Sequence, residues 1–288
     1  MRHSQLKAFH YVALLGGFSR AAEQLLLTQP AISEQVRKLE QENDVLLFHR
    51  ERKRVKLTEA GERLFLMTKQ YFEIEQQIHD YVSESSASID GSLRIIADSA
   101  HHVTDILQAF RMRYPKVTVT MRVGNTGDIL EELRSYNAEI GVAGSTAPGK
   151  DMEALDLGAT EIIGFASTSF LPSHKRSITL KELSEMPLIF REVGSKTREK
   201  LVNEAARKNI TLSPVIEAEG REAVREVVSS GAGIGFVSRA EFGHDERLVP
   251  LVIEDTDISM SESLVHLGQR RDVRVIRAFM DCARNLQG

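Results

Sequence analysis

Residues 18–42 read Phe-Ser-Arg-Ala-Ala-Glu-Gln-Leu-Leu-Leu-Thr-Gln-Pro-Ala-Ile-Ser-Glu-Gln-Val-Arg-Lys-Leu-Glu-Gln-Glu. Two short helices and a tight turn account for this stretch. Ser19 is a candidate N-cap for a helix over Arg20 to Leu26, with Ala21, Ala22 and Leu25 as its small inner face. A turn at Leu27-Thr28 follows. Thr28 can cap a second helix over 29–42, and Pro30 is tolerated in its first turn because the missing N–H has no intrahelical partner there. At 100° per residue, Ile32, Val36 and Leu39 fall within about 60° of one another and form a buried stripe. Pro30, Ser33, Glu34, Arg37 and Gln41 point the other way. Two helices with a polar outer face on the second make a helix-turn-helix, whose Ser, Gln and Arg side chains can read base edges or hold phosphates.

The flanking sequence extends this head. Leu6, Phe9, Val12 and Ala13 have helical spacing, and Gly16-Gly17 end that helix. The segment His49-Arg-Glu-Arg-Lys-Arg-Val-Lys56 carries five basic residues and one acid, and behind a helix-turn-helix it reads as a basic wing along the phosphate backbone. Leu57, Ala60, Leu64, Met67, Tyr71, Ile74, Ile78 and Tyr81 then step by threes and fours. That pattern predicts a helix with one narrow apolar seam, paired as a coiled coil between two copies. Residues 83–88 read as a hinge.

The whole chain has 288 residues, 42% of them apolar and 27% charged, the composition of a globular protein with more than one core. Its net charge of −4 is unevenly spread: residues 1–60 hold ten Lys/Arg against seven Asp/Glu, and the rest 27 against 34. A basic head on an acidic body points to a polyanion at one end. There is no apolar run of membrane-spanning length and no signal-peptide core, so a cytoplasmic location is expected and no membrane partner. The single cysteine, Cys282, excludes an intrachain disulfide and a Cys-based zinc site.

Phe18–Leu25, Thr28-Gln-Pro-Ala-Ile-Ser33, Gln35-Val-Arg-Lys-Leu-Glu40, Leu47-Phe-His-Arg50 and Leu57-Thr-Glu-Ala-Gly61 together resemble the LysR-type transcriptional regulators. The resemblance implies a winged helix-turn-helix over 1–58, a linker helix and hinge for dimerisation over 59–88, and a two-lobed effector domain over 91–288. The lobes would resemble periplasmic binding proteins, lobe one being 91–161 plus 268–288 and lobe two 162–267. By the same likeness Gln29, Pro30, Ser33 and Arg37 face the major groove of double-stranded DNA, and Arg50, Arg52 and Arg54 lie near the wing or backbone. Ser19, Arg20 and Thr28 complete the candidate DNA-contacting set, and Leu64, Met67, Tyr71, Ile74, Ile78 and Tyr81 are the candidate dimer contacts. A homodimer assembling to a homotetramer is implied, with RNA polymerase as a partner of an activator.

From Gly91 onward, apolar strands alternate with amphipathic helices, an α/β pattern. Strands are expected at 93–97, 117–123, 140–143, 162–167, 187–190, 214–217, 233–238 and 262–267, and helices at 99–114, 126–136, 179–185, 196–208, 221–230 and 272–286. No G-x-S-x-G or H-E-x-x-H is present, and Gly231-Ala-Gly-Ile-Gly235 follows a helix and lacks dinucleotide-binding spacing. Adjacent His101 and His102 diverge by about 100° on a helix, so no metal or other cofactor is expected. Strand-to-helix turns gather at the ligand-binding edge of an α/β sheet, and Ser99, Thr126, Ser195 and Thr197 stand at such turns. With His101, Arg221 and Glu222 they form the candidate effector site, suited to a small anion.

Asp98-Ser-Ala-His-His102, Arg191–Arg198, Arg221–Glu226 and Ser238–Gly243 further resemble a LysR-type subgroup associated with 2-aminoethylphosphonate catabolism. That likeness implies a phosphonate-bearing effector, with Arg221 for the phosphonate and Glu222 or Asp98 for the ammonium. A carboxylate or sulfate effector is the alternative. Two other classes are weighed beside a regulator: a small-molecule binding module with the head serving assembly, and an enzyme with a DNA-binding appendage. The outward polar face of the second helix disfavours the first, and the absence of a catalytic set disfavours the second.

Overall fold

A computed structural model of the chain describes residues 1–49, 55–82, 89–144, 149–171 and 175–287, apart from the side chains of residues 80 and 81. The chain divides into two compact units, Met1–Ser86 and Ala87–Gly288.

In the first unit, α1 (His3–Leu15) ends at Gly16, whose φ of 65° lies in the left-handed region that glycine adopts without strain. Helix α2 (Phe18–Gln24) starts one residue before Ser19, with Gly17 at the N-cap. Ser19 therefore lies inside the helix and caps nothing. The turn to α3 (Gln29–Glu42) runs through Leu26, which has φ 54° and is 92% exposed. Thr28 caps α3 as expected, its hydroxyl accepting from the Ala31 N–H at 3.4 Å. Phe9, Val12, Ala21, Ala22, Ile32, Val36 and Leu39 form one buried core with Leu47 and Phe48.

Strands β1 (Phe48–His49) and β2 (Lys56–Leu57) pair antiparallel, the stem of the expected wing. Its entry is held by Glu40, which accepts from the N–H groups of Leu47 and Phe48 at 2.8 and 3.3 Å. Helix α4 (Glu59–Val82) is entered through Thr58. The Thr58 hydroxyl donates to the Leu46 carbonyl at 2.7 Å and accepts from the Gly61 N–H at 3.0 Å. Gly61 packs so tightly on this turn that a Cβ would overlap the Leu47 carbonyl oxygen.

The second unit contains two lobes. Lobe one has β3 (Gly91–Ala97), α5 (Thr104–Arg113), β4 (Val117–Val123), α6 (Thr126–Arg134) and β5 (Ile140–Gly144). The expected helix over 99–114 is instead a 3₁₀ turn at His101–Val103 followed by α5. Strand β6 (Met152–Ser167) then passes from one lobe to the other. Lobe two continues with β7 (Ser177–Ile178), α7 (Leu180–Ser184), β8 (Leu188–Arg191), α8 (Lys196–Arg207), β9 (Pro214–Ala218), α9 (Arg221–Ser229), β10 (Ile234–Ser238), α10 (Arg239–Phe242) and β11 (Leu248–Ile253). Last come β12 (Ser259–Leu267) and α11 (Arg274–Gln287).

Strand β12 pairs antiparallel with β5 and with the first part of β6. Residues 259–267 thus belong to the sheet of lobe one, and the boundary expected at 267 moves back before β12. The reason is register: β6 is one continuous strand, and its first half needs a partner in lobe one. Its second half pairs with β10 and β11 in lobe two. Phe110 and Phe279 anchor a core on one face of the first sheet, and Ile129 and Leu133 one on the other. Lobe two repeats the arrangement, with Leu201 and Ala205 of α8 on one face and Val224 and Val228 of α9 on the other. In both lobes the parallel strands aim their carboxyl ends at the same seam, because Asp98, next after β3, meets Arg191, the last residue of β8.

Candidate functional site

The outward face of α3 is exposed at Thr28, Gln29, Pro30 and Arg37, with Ser33 half-buried. Arg37 is held by its own helix. It donates through Nε and Nη2 to the Glu34 carboxylate, both at 2.7 Å, and through Nη1 to Gln41 at 2.8 Å. The Glu34 hydrogen bond and charge raise the Arg37 pKa and lower that of Glu34. These bonds hold the guanidinium against its own helix, and a guanine or phosphate that takes both arms of this fork has to replace Glu34. Ser19 and Arg20 are exposed, and Arg20 donates to the Gly16 carbonyl at 2.8 Å, closing the end of α1. Arg50, Arg52 and Arg54 lie outside the described residues.

The seam on α4 serves two purposes. Ala60 and Leu64 pack on the head core together with Phe65, so Leu64 is not part of a free dimer face. Among the described side chains the seam opens at Met67, Tyr71, Ile74 and Ile78, which are 62, 44, 55 and 59% exposed. The side chain of Tyr81 and residues 83–88, where a hinge is expected, lie outside the described residues. The underside of the helix is closed by His10, whose Nδ1 lies 3.0 Å from Thr68 Oγ1 and whose ring packs on Phe65 and Phe72. Burial, aided by Lys69, lowers the His10 pKa to about 4, so the ring is neutral.

The seam between the lobes holds a dense polar cluster. Arg191 donates to Asp98 at 2.5 Å, and both side chains are buried. Arg191 also reaches Glu192 at 2.6 Å, and Glu192 accepts from the Gly220 N–H at 3.0 Å. Arg221, the first residue of α9, lies 2.8 Å from Glu241 and 3.7 Å from Asp98. His102 Nε2 is 3.0 Å from Glu241 and 3.9 Å from Glu262. Ser238 donates to Glu241 at 2.7 Å. Asp98, His102 and Glu262 come from lobe one, and the others from lobe two.

Charge and burial compete at each of these groups. Burial disfavours ionised Glu241, but the bonds from His102 and Ser238 and the charge of Arg221 lower its pKa to about 2. Burial also works against a charged His102, yet Glu241 and Glu262 raise its pKa. Glu262 is the exception. Burial and the negative charges of Glu241 and Asp98 push it up to about 7, and neither of its carboxylate oxygens has a hydrogen-bond partner.

Beside this cluster two helix N-termini face each other. Asn125 caps α6 by accepting from the N–H groups of Gly127 and Asp128 at 2.9 and 3.2 Å. Gly194, with φ +100°, lies against it, and a Cβ there would stand 3.3 Å from the Asn125 amide. Ser195 occupies the N-cap of α8 but makes no capping bond, and its buried Oγ has no partner. Thr126 and Thr197 are also buried, and Thr126 donates to the Gly144 carbonyl at 3.4 Å. The head of α6 is thus closed by its own cap, whereas the uncapped N–H groups of α8 and the unused Ser195 hydroxyl beside them can receive an anion.

Residues 3–62 match the model of the bacterial regulatory helix-turn-helix proteins of the lysR family, and residues 86–287 match the LysR substrate binding domain. The chain belongs to the LysR family of transcriptional regulators. It is 30% identical over 236 residues to the RuBisCO operon transcriptional regulator of Allochromatium vinosum, covering 81% of this chain and 78% of that one. It is 27% identical over 255 residues to the transcriptional activator CmpR of Synechocystis, covering 88% and 84%. Among solved structures, full-length CbnR complexed with its target DNA has a TM-score of 0.70 at 18% identity, covering 99% of each chain. A full-length OxyR variant from Pseudomonas aeruginosa reaches 0.80 at 18% identity, covering 99% of this chain and 95% of that one. The regulator thus combines a DNA-binding head with an effector-binding domain, and its relatives are regulators rather than enzymes. Among the described residues no helix is long and apolar enough to cross a membrane.

Of the effector residues expected from sequence, Arg221 of this regulator reaches Asp98 across the seam, Ser195 follows Gly194, which lies against Asn125 across it, and Thr126 and Thr197 are buried at the heads of α6 and α8. Ser99 accepts from the His101 N–H at 3.2 Å, just ahead of the 3₁₀ turn. His101 and Glu222 are exposed and stand outside the cluster; the neighbouring His102 turns inward in place of His101, and Asp98 and Glu241 face Arg221 in place of Glu222. Sequence reasoning missed Arg191, Glu241 and Glu262. One signal was available: Met260, Glu262 and Leu264 share a buried face of β12, which puts a carboxylate at a core position.

Proposed function

We propose that this regulator binds a small phosphonate-bearing zwitterion, 2-aminoethylphosphonate in the first instance, in the seam between its lobes and controls genes for phosphonate catabolism in response. The observation that carries the anion end is the buried, unpartnered Ser195 hydroxyl at the head of α8, opposite the head of α6. A phosphonate there accepts from Ser195, Thr197 and the free N–H groups of α8. The surrounding acids favour a ligand with a cationic end over a carboxylate or sulfate of purely negative charge, and Asp98, 2.5 Å from Arg191 and 3.7 Å from Arg221, is the acceptor for the ammonium. A ligand wedged here competes with the Asp98–Arg191 and His102–Glu241 pairs that tie the lobes together. It therefore has different affinities for the tied and untied states, which is what a switch requires.

In the same reading, Gln29, Pro30, Ser33 and Arg37 enter the major groove, with Ser19, Arg20, Thr28 and the wing arginines on the backbone. The exposed stripe of α4 pairs two heads, the effector domains bring two dimers into a tetramer, and RNA polymerase is the partner if the regulator activates. Such a protein works in the cytoplasm. Isothermal calorimetry with 2-aminoethylphosphonate, ethylphosphonate, phosphate, sulfate and acetate tests the ligand. Heat with 2-aminoethylphosphonate, weakened at least tenfold by Ser195→Ala, supports the reading. Equal binding of sulfate or acetate, or no heat with any phosphonate, overturns it.

A further inference from the structure

We propose that His102, Glu241 and Glu262 form a binding site for one divalent transition-metal ion, which joins lobe one to lobe two. Each residue offers a donor atom, and the three atoms lie within 4.8 Å of one another. His102 Nε2 is 3.0 Å from the Glu241 oxygen and 3.9 Å from the Glu262 oxygen. A tetrahedral ion with bonds of about 2.1 Å holds neighbouring donors about 3.4 Å apart, between these two separations. The third pair, Glu241 to Glu262, lies within 4.8 Å, and rotation of the two carboxylate side chains closes it on the ion.

A second observation points to a missing cation. Glu262 is 3% exposed, and both of its oxygens lack a hydrogen-bond partner. A buried carboxylate without donors is costly, and this one is aimed at the His102 ring. Among the described residues, the ion pairs of the cluster join four carboxylates, Asp98, Glu192, Glu241 and Glu262, with two guanidiniums, Arg191 and Arg221. An imidazole that ligates a metal gives up its proton, and the two negative charges then left over are what a divalent ion cancels.

The surroundings suit a metal site. Ser238 donates to the second oxygen of Glu241 at 2.7 Å and holds that carboxylate in place. Arg221 lies on the same Glu241 oxygen as His102, at 2.8 Å. A carboxylate oxygen has two lone pairs, so Arg221 keeps one while the ion replaces the imidazole on the other. Such outer partners orient ligands without entering the coordination sphere. One imidazole and two carboxylates are the donor set of zinc, manganese or iron(II), and the remaining positions are left to water.

The full-length protein, stripped with chelator and free of phosphonate, is titrated with zinc chloride and separately with manganese chloride by calorimetry. One ion binds per chain and raises the melting temperature. Glu262→Gln and His102→Gln each weaken binding more than about tenfold, while His244→Gln, at an exposed histidine, binds as the parent does. Circular dichroism and the metal-free melting temperature show whether each variant is folded. Glu241→Gln serves where one of the two does not fold, and it carries the same expectation. Absence of binding by both metals, or binding that all folded cluster variants retain, overturns the site. Phosphonate binding is measured on the same preparations without metal, so either proposal fails without the other. If Glu262→Gln weakens only 2-aminoethylphosphonate, the carboxylate accepts the effector's ammonium and the metal site is refuted.

Discussion

Replacing Ile74 and Ile78 by Asp tests the open seam of α4. In the single chain these side chains are 55 and 59% exposed, so packing two copies of the helix removes a little over half of each from water. Full burial of an isoleucine is worth about 1.5–3 kcal/mol, so the remaining half is worth about 1 kcal/mol per side chain. Two residues on two helices give about 4 kcal/mol, and each carboxylate forced into the seam adds a desolvation cost. A loss of about 4 kcal/mol weakens association roughly a thousandfold. Sedimentation equilibrium of the full chain, from nanomolar to micromolar, reads this directly. The double variant loses one association step and retains any contact made by its effector domains. Its helix content is unchanged, because the side chains lie outside the head core. If the double variant forms the same largest species at the same concentrations as the parent, the seam is not an interface. Ala60 and Leu64 offer the contrast: they pack inward, so changing Leu64 lowers the stability of the head itself.

Three further outcomes follow from buried groups. The His10 pKa is lowered from 6.5 to about 4, so the folded state favours the neutral ring and the unfolded chain binds the proton first. Its stability contribution is complete above the unfolded value and is lost as pH falls toward 4, about 2 kcal/mol of it between pH 8 and pH 5. Urea unfolding at the two pH values shows the loss in the parent and a smaller one in His10→Gln. Gly61→Ala drives a methyl group into the Leu47 carbonyl and lowers unfolding stability by about 1–3 kcal/mol, and a neutral result removes the close-packing argument. Arg191→Met leaves Asp98 buried with Arg221 3.7 Å away, and costs about 3–5 kcal/mol in thermal or urea unfolding. The Asp98→Asn, Arg191→Met double variant loses less than Arg191→Met alone, and an equal loss means that the two charges are not coupled.

The head was legible in sequence because its signals are short-range. A cap, a proline in the first turn and a three-residue stripe fix α3 without reference to distant residues. The motif around Thr58 and Gly61 owes its form to one turn, in which a hydroxyl serves two backbone groups and a hydrogen leaves room for a carbonyl. The cleft was less legible. Its charged residues, at 98, 102, 191, 221, 241 and 262, come from five segments that only the sheet order brings together. Arg221 was found because it opens a helix. A 3₁₀ turn stands where a continuous helix is expected, and it is His102, not the expected His101, that faces the cluster. The lobe boundary at 267 failed for a similar reason: strand pairing, not chain order, assigns β12 to lobe one.

Binding of the regulator's own upstream promoter fragment, measured by fluorescence anisotropy with Arg37→Glu beside the parent at several salt concentrations, tests the reading of α3 most directly. Arg37 is exposed, and like charges at Glu34 and position 37 cost the helix only a few tenths of a kcal/mol, so the variant folds. Loss of the arginine removes about 1–3 kcal/mol of binding and flattens the salt dependence where the contact is to phosphate. An affinity and a salt slope equal to the parent's would contradict the placement of this helix in the groove.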